Sequence, residues 1–295
     1  MRKPHTTIML VGESGFLGRH LCKSLRNKGF EVRAFNHGAL EITDGGAVMS
    51  AVGATRPDAV INCAAISSTA YANSHPEESM LCNVTGPKNL ALACKENGAA
   101  FFMMSSDQVY GGCTLPGPLT ENLPLCPNNI YGEHKLLMES EVLDILPSAV
   151  LLRLSWMYEY YNPGNPHTDI LSRLVDAIRR EGTLKSSTRE LRGISAVDDV
   201  CGNIARSLGV LPGGVYNFGS GNLLDSYSTM QRVLCGVGLP PGMILPDDSW
   251  GRNLSMDCSK VGAYGISFPS TEEALVKYLK AFLRECPEPS SMRVQ

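Results

Sequence analysis

The chain has 295 residues, 43% of them hydrophobic and 19% charged, with a formal net charge of −3. This balance excludes wholesale disorder, and the length suits one large α/β domain or a core domain with a smaller appendage. No basic run offers a footprint for nucleic acid, and no apolar run reaches the ~18 residues that cross a bilayer.

Thr6–Val11 is predicted as a β-branched buried strand. The glycine loop Gly12-Glu13-Ser14-Gly15-Phe16-Leu17-Gly18 follows at once, then an amphipathic helix with Leu17, Leu21 and Leu25 on one face, stopping at Gly29. Glu31–Phe35 is a second strand, Ala47–Ala54 a helix ending before Arg56-Pro57, and Ala59–Cys63 a third strand. Pro76–Glu96 is a long helical stretch closed by Asn97-Gly98. Ala100–Ser105 is a fourth strand, Asn129–Leu143 a helix and Ala149–Leu154 a fifth strand. Such alternation implies βαβ units and a parallel sheet.

After residue 155 the texture changes. Tyr158–Pro166 is an aromatic loop with proline and glycine, and Leu211–Gly214 and Val237–Pro246 are loop-rich. Three helical patterns remain, at Asp169–Glu181, Val197–Leu208 and Thr271–Arg284, with a strand at Gly214–Phe218 and a frayed tail after Pro287. The expected organisation is a doubly wound domain over 1–155, its sheet completed by parts of 190–220. A smaller, interleaved substrate-binding lobe covers 156–295.

Ten cysteines are scattered with no Cys-x-x-Cys pair. Without a secretory signal they read as reduced, mostly buried thiols, with no metal site and a cytoplasmic location.

Gly12-x-x-Gly15-x-x-Gly18 follows a strand and opens a helix, where glycines let backbone approach a pyrophosphate at the helix N-terminus. At the end of the second strand stand Asn36 and His37, with no acid to repel a 2′-phosphate. This favours NADP, with NAD tolerated. Asp44 either meets the adenine amino group or caps the following helix. Small residues at Cys63, Ala64 and Ala65 allow close approach of backbone to the cofactor. Tyr131 and Lys135 lie four apart on one helical face, so the ammonium can sit beside the phenol and favour its ionised form. Ser105 and Ser106 end the fourth strand, where α/β sheets bind ligands.

Together these motifs resemble the extended short-chain dehydrogenase/reductases, over nearly the whole chain. Within them, Pro127-Asn128-Asn129-Ile130-Tyr131-Gly132, Leu152-Arg153-Leu154-Ser155-Trp156 and Asn253-Leu254-Ser255-Met256-Asp257 look most like the dTDP-4-dehydrorhamnose reductase branch. The resemblance implies a Rossmann-type α/β fold and reduction of a keto group on a nucleotide-activated deoxysugar by NADP(H). Tyr131 would be the proton donor, Lys135 its pKa-lowering neighbour and ribose ligand, and Ser106 the carbonyl's hydrogen-bond partner. It places Gly12, Gly15, Phe16, Leu17, Gly18, Asn36, His37, Asp44, Cys63, Ala64, Ala65, Asn83, Met104, Ser105 and Leu154 at the cofactor. Ser67, Asp107, Gln108, Trp156, Arg192 and Asn253 fall at the sugar nucleotide, and a homodimer is a further family-level expectation.

The chain departs from the branch at Ser67–Asn73, which has no carboxylate, and at Trp250-Gly251, where the family has Arg-Pro and Arg252 is displaced by two. These positions leave the sugar open. Gln108 replaces the glutamate with which 4,6-dehydratases move a proton, which disfavours dehydration. Epimerisation, and a regulatory role like that of the methionine adenosyltransferase β subunit, stand as alternatives.

Overall fold

A computed structural model describes residues 6–160 and 170–285. The apolar run Thr7–Val11 forms β1, from which the chain builds outwards on both sides. In order follow α1 (Phe16–Asn27), β2 (Glu31–Phe35), α2 (Gly45–Thr55), β3 (Ala59–Asn62), α3 (Thr69–Ser74) and α4 (Pro76–Met80). A π-helical turn, Leu81–Thr85, joins α4 to α5 (Gly86–Asn97), which ends on Gly98 in the left-handed region (φ 69°). Next come β4 (Ala100–Ser106), α6 (Ile130–Ile145), β5 (Val150–Leu154), β6 (Trp156–Tyr158), α7 (Ile170–Arg179), β7 (Leu184–Arg192) and β8 (Ile194–Ala196). The chain continues through α8 (Val197–Ser207), β9 (Gly214–Phe218), α9 (Ser226–Gly236), β10 (Ile244–Leu254), α10 (Ser259–Gly262) and α11 (Thr271–Glu285).

Six strands pair in parallel in the order β2-β1-β3-β4-β5-β9. The order reverses between β1 and β3, so the connections after these two strands part and open a crevice at their C-terminal ends. Two hydrophobic clusters cover the two faces of the sheet, one against α1 and α8, the other against α2, α5 and α6. This is the doubly wound α/β architecture expected from the alternating elements.

A third cluster draws all its buried members from Tyr158 to Phe282, including Leu174, Ile178, Val233, Leu275 and Leu279. It is framed by two small parallel pairs, β6 with β8 and β7 with β10. The chain crosses between the two bodies: α8, β9 and the segment around Val261 and Ile266 pack against the first. Among the described residues, no helix is long and apolar enough to cross a membrane.

The second half of the chain departs most from the sequence expectation. The stretch Val237–Pro246, taken as loop, contains the start of β10, whose polar sequence shows no alternation and whose order comes from pairing with distant β7. Helix α9 and the short α10 were not expected after residue 155, nor were β6, β7 and β8, although Asp225 caps α9 through Ser228 N. The expected start of α7 at Asp169, most of the Tyr158–Pro166 loop and the tail after Pro287 lie outside the described residues.

The glycine loop is held by contact, not by side chains. Gly12 has φ 83°, and a Cβ there would fall 2.4 Å from Ala64 N, while one on Gly18 would fall 2.0 Å from Gly12 O. Gly18→Ala therefore forces backbone apart. It is expected to cost roughly 1–3 kcal/mol, read as a fall in Tm of several degrees together with weaker cofactor binding.

Candidate active site

The crevice at the β1/β3 reversal opens into a cavity of ≈ 410 Å³. α6 delivers its two reactive side chains. Its first turn is fixed by Asn129, whose Oδ1 accepts from Gly132 N at 2.9 Å, and by Asn73, whose Oδ1 accepts from Ile130 N at 3.0 Å. Tyr131 and Lys135 then share one face at the cavity wall, 8% and 1% exposed. Lys135 Nζ donates to the Met104 carbonyl at 2.9 Å and lies 5.7 Å from the centre of the Tyr131 ring.

Burial sets the charge states here. It pushes the Tyr131 phenol up to about 12; the Ser106 hydroxyl beside it works in the opposite direction and the Asp107 charge adds to the rise. Burial also brings the Lys135 ammonium down to about 8. The expected depression of the tyrosine by Lys135 is not among the causes that set the phenol here. The amine is turned to a backbone carbonyl, and desolvation of the phenol is the larger effect.

Behind the cavity runs a buried polar chain that the sequence did not announce. Ser105 Oγ donates to Glu139 Oε1 at 2.6 Å. Glu139 takes a two-pronged contact from Arg153, Nε to Oε1 at 2.9 Å and Nη2 to Oε2 at 2.7 Å. Arg153 also donates to Tyr110 OH (2.7 Å), which donates to Asn217 Oδ1 (2.9 Å). Glu139 is one helical turn beyond Lys135, so this chain ties the cavity-facing side of α6 to β4, β5 and β9. Its signals were present: an arginine inside an apolar strand, and an acid four residues after Lys135.

Of the residues expected at the cofactor, Gly15, Phe16 and Leu17 line the cavity from α1, Cys63 and Ala65 from the segment after β3, and Met104, Ser105 and Leu154 from the ends of β4 and β5. Gly12, Gly18 and Ala64 lie beneath as mutual backbone contacts. Four others already hold partners within the chain. Asp44 caps α2 through Ala47 N at 3.0 Å. Asn36 holds its own turn through Ala39 N, and His37 is solvent-exposed beside Glu41 at 3.3 Å. Asn83 is fully buried, and its amide is spent on Ile66 N and Ile66 O, both at 3.0 Å. It fixes the loop before Ser67.

Of the residues expected at the sugar, Ser67, Asp107, Gln108, Trp156 and Arg192 line the cavity. Arg192 pairs with Asp107 Oδ2 (Nη2 3.0 Å) and lies 5.2 Å from the Trp156 ring centre. Gln108 donates to Asp107 Oδ1 at 3.1 Å. Asn253 is the exception: its Nδ2 donates to Leu115 O and Gly117 O, both at 2.8 Å, so it anchors a loop. Its neighbour Arg252 lines the cavity instead, as do Thr69, Ser155 and Met157. A second cavity of ≈ 450 Å³ adjoins the first through Trp156, Arg192 and Arg252, and adds Arg173 and Lys185 to its walls. Among the described residues no cluster suited to a metal ion exists.

Glu139→Ala leaves the Arg153 guanidinium buried and unpaired. Urea unfolding of this variant is expected to show a loss of about 3–5 kcal/mol.

The chain is 40% identical to a dTDP-4-dehydrorhamnose reductase of Streptomyces griseus over 52% of this chain, spanning only about half (51%) of that relative. It is 29% identical to one from Mycolicibacterium smegmatis over 81% of this chain and 72% of the relative. A solved dTDP-4-dehydrorhamnose reductase of Bacillus anthracis, in complex with NADP, superposes with a TM-score of 0.82 at 21% identity, covering 93% of this chain and 99% of that one. The family model described as the RmlD substrate binding domain matches residues 6–185. The chain belongs to the RmlD substrate binding domain family.

Proposed function

We propose that this protein is an NADP(H)-dependent reductase acting on the keto group of a nucleotide-activated deoxysugar. The observation that carries the reading is the pairing, in one buried cavity, of a protonated Tyr131 with Ser106 and Lys135. Relatives named dTDP-4-dehydrorhamnose reductase support it.

The residues fit a dinucleotide. Three glycines leave room where any Cβ would collide or crowd backbone, and α1 begins on Gly15 with no side chain capping its amides. NADPH, when bound, supplies the hydride. Everything else belongs to the chain. Ser106 holds the substrate carbonyl oxygen, and Tyr131 gives its phenolic proton to that oxygen as negative charge develops. A donor whose pKa is pushed to about 12 stays protonated at neutral pH, which suits reduction. Lys135 places a cation in the low-dielectric wall, where it stabilises the phenolate left after transfer. Asn36 in place of an acid at the end of β2 suits the 2′-phosphate of NADP. Trp156 and Arg192 receive the sugar, held by the Asp107 ion pair, and the body after residue 156 serves as the substrate lobe. A homodimer belongs to the same proposal.

Incubation with NADPH and a panel of keto-sugar nucleotides is expected to oxidise the cofactor. Tight NADPH binding with no oxidation would sink the reductase reading and return the regulatory one. Tyr131→Phe is expected to lower kcat by roughly 10²–10⁴ while leaving NADPH affinity unchanged. The pH profile follows from Lys135. Its pKa is lowered to about 8, so the ammonium is present below that pH and lost above it. The kcat/KM is expected to fall as pH rises through about 8, and Lys135→Met should be slow throughout and lack this limb. A higher kcat/KM with NADH than with NADPH would refute the cofactor assignment.

A further inference from the structure

We propose that Trp250 is an aromatic platform for the nucleobase of the substrate, on the wall of the second cavity. The inference rests on the nucleotide-sugar reading and adds to it where the base sits and which residue holds it. The two cavities meet at Trp156, Arg192 and Arg252, so a ligand whose sugar lies against Tyr131 extends past these residues into the second. That cavity is lined by Arg173, Lys185 and Arg252, with Glu190, which pairs with Arg252 at 2.8 Å, and Asp247; Arg173 and Lys185 are the cations suited to a diphosphate.

Beyond them the wall is built by an irregularity in β10. Its pairing with β7 shifts between Asp247 and Gly251, so that Asp248, Ser249 and Trp250 face the single residue Thr188. The bulge is locked on both sides. Ser187 Oγ donates to Trp250 O at 2.7 Å, and Asp247 Oδ1 accepts from Ser249 N at 3.0 Å. Gly251 lets the strands close, since a Cβ there would fall 2.4 Å from Arg189 Cβ. The bulge leaves the indole of Trp250 on the cavity wall, 43% exposed, with the Arg252 guanidinium 5.5 Å from its ring centre.

A large aromatic held in place yet left open to solvent offers a flat apolar face to a flat ligand. Every nucleobase has such a face, so stacking adds affinity whichever base is present.

Calorimetric titration of the full chain, saturated with NADPH, tests this with dTDP, UDP, GDP and inorganic pyrophosphate. Trp250→Ala is expected to weaken each nucleotide by roughly tenfold or more. Pyrophosphate and NADPH affinities should not move, and Trp250→Phe should keep most of the nucleotide affinity. Unchanged nucleotide binding in Trp250→Ala overturns the platform and leaves the reductase reading intact. Equal losses for nucleotides and pyrophosphate do so too, because they mark a general disturbance of β10. A parent protein that binds no nucleotide overturns the platform together with the function it rests on.

Discussion

The contact between Glu139 and Arg153 holds the site together. Both side chains are 3% exposed, and each satisfies the other in a two-pronged geometry while passing hydrogen bonds outwards to Ser105 and Tyr110. A buried ion pair contributes little net stability, because desolvating two charges offsets their attraction. What it does here is fix register. Glu139 leaves α6 on the same face as Tyr131 and Lys135, and Arg153 leaves β5 beside Ser105 on β4. The pair therefore sets how far α6 can slide or turn relative to the strand ends. Ser106, Tyr131 and Lys135 inherit their spacing from it.

Burial does a second job at the same place. The helix and the strand ends exclude water from Tyr131 and Lys135, and exclusion disfavours the charged form of each. The phenol is driven up to about 12 and the ammonium down to about 8, so the two values move apart and the phenol is the group that keeps its proton. Such a pair keeps the phenol protonated at neutral pH, to yield its proton only to a stronger base beside it, while the ammonium is the readier to deprotonate. An exposed Tyr-x-x-x-Lys would lack both shifts.

The two bodies of the fold divide the recognition problem. The first body supplies the glycine loop, Ser106 from the end of β4, and Tyr131 and Lys135 from α6, where the connections part. The second body is built around its own apolar cluster and reaches back through Arg192, whose ion pair with Asp107 crosses from β7 to the end of β4. That bond lets a wall assembled from residues after 156 face chemistry assembled from residues before it.

Local sequence determined the first body well. Apolar runs of strand length, helical spacing of leucines and glycines at fixed offsets are short-range features, and they mark β1 to β5, α1 and the cofactor loop within a residue or two. Tyr131 and Lys135 were legible for the same reason: four residues on a helix are always neighbours. The sequence did not determine what those neighbours do to one another. The lysine's turn towards Met104 and the dominance of desolvation over its charge required the packed cavity. Asn83, Asp44 and Asn253 show the same limit, since an amide or carboxylate near a ligand-binding segment equally suits a backbone partner, and only the fold shows which was nearer. β10 and its bulge are the extreme case. A polar strand with no periodicity exists because β7, some 60 residues earlier (62 between Glu190 and Arg252), pairs with it, and pairing at that range is decided only in three dimensions.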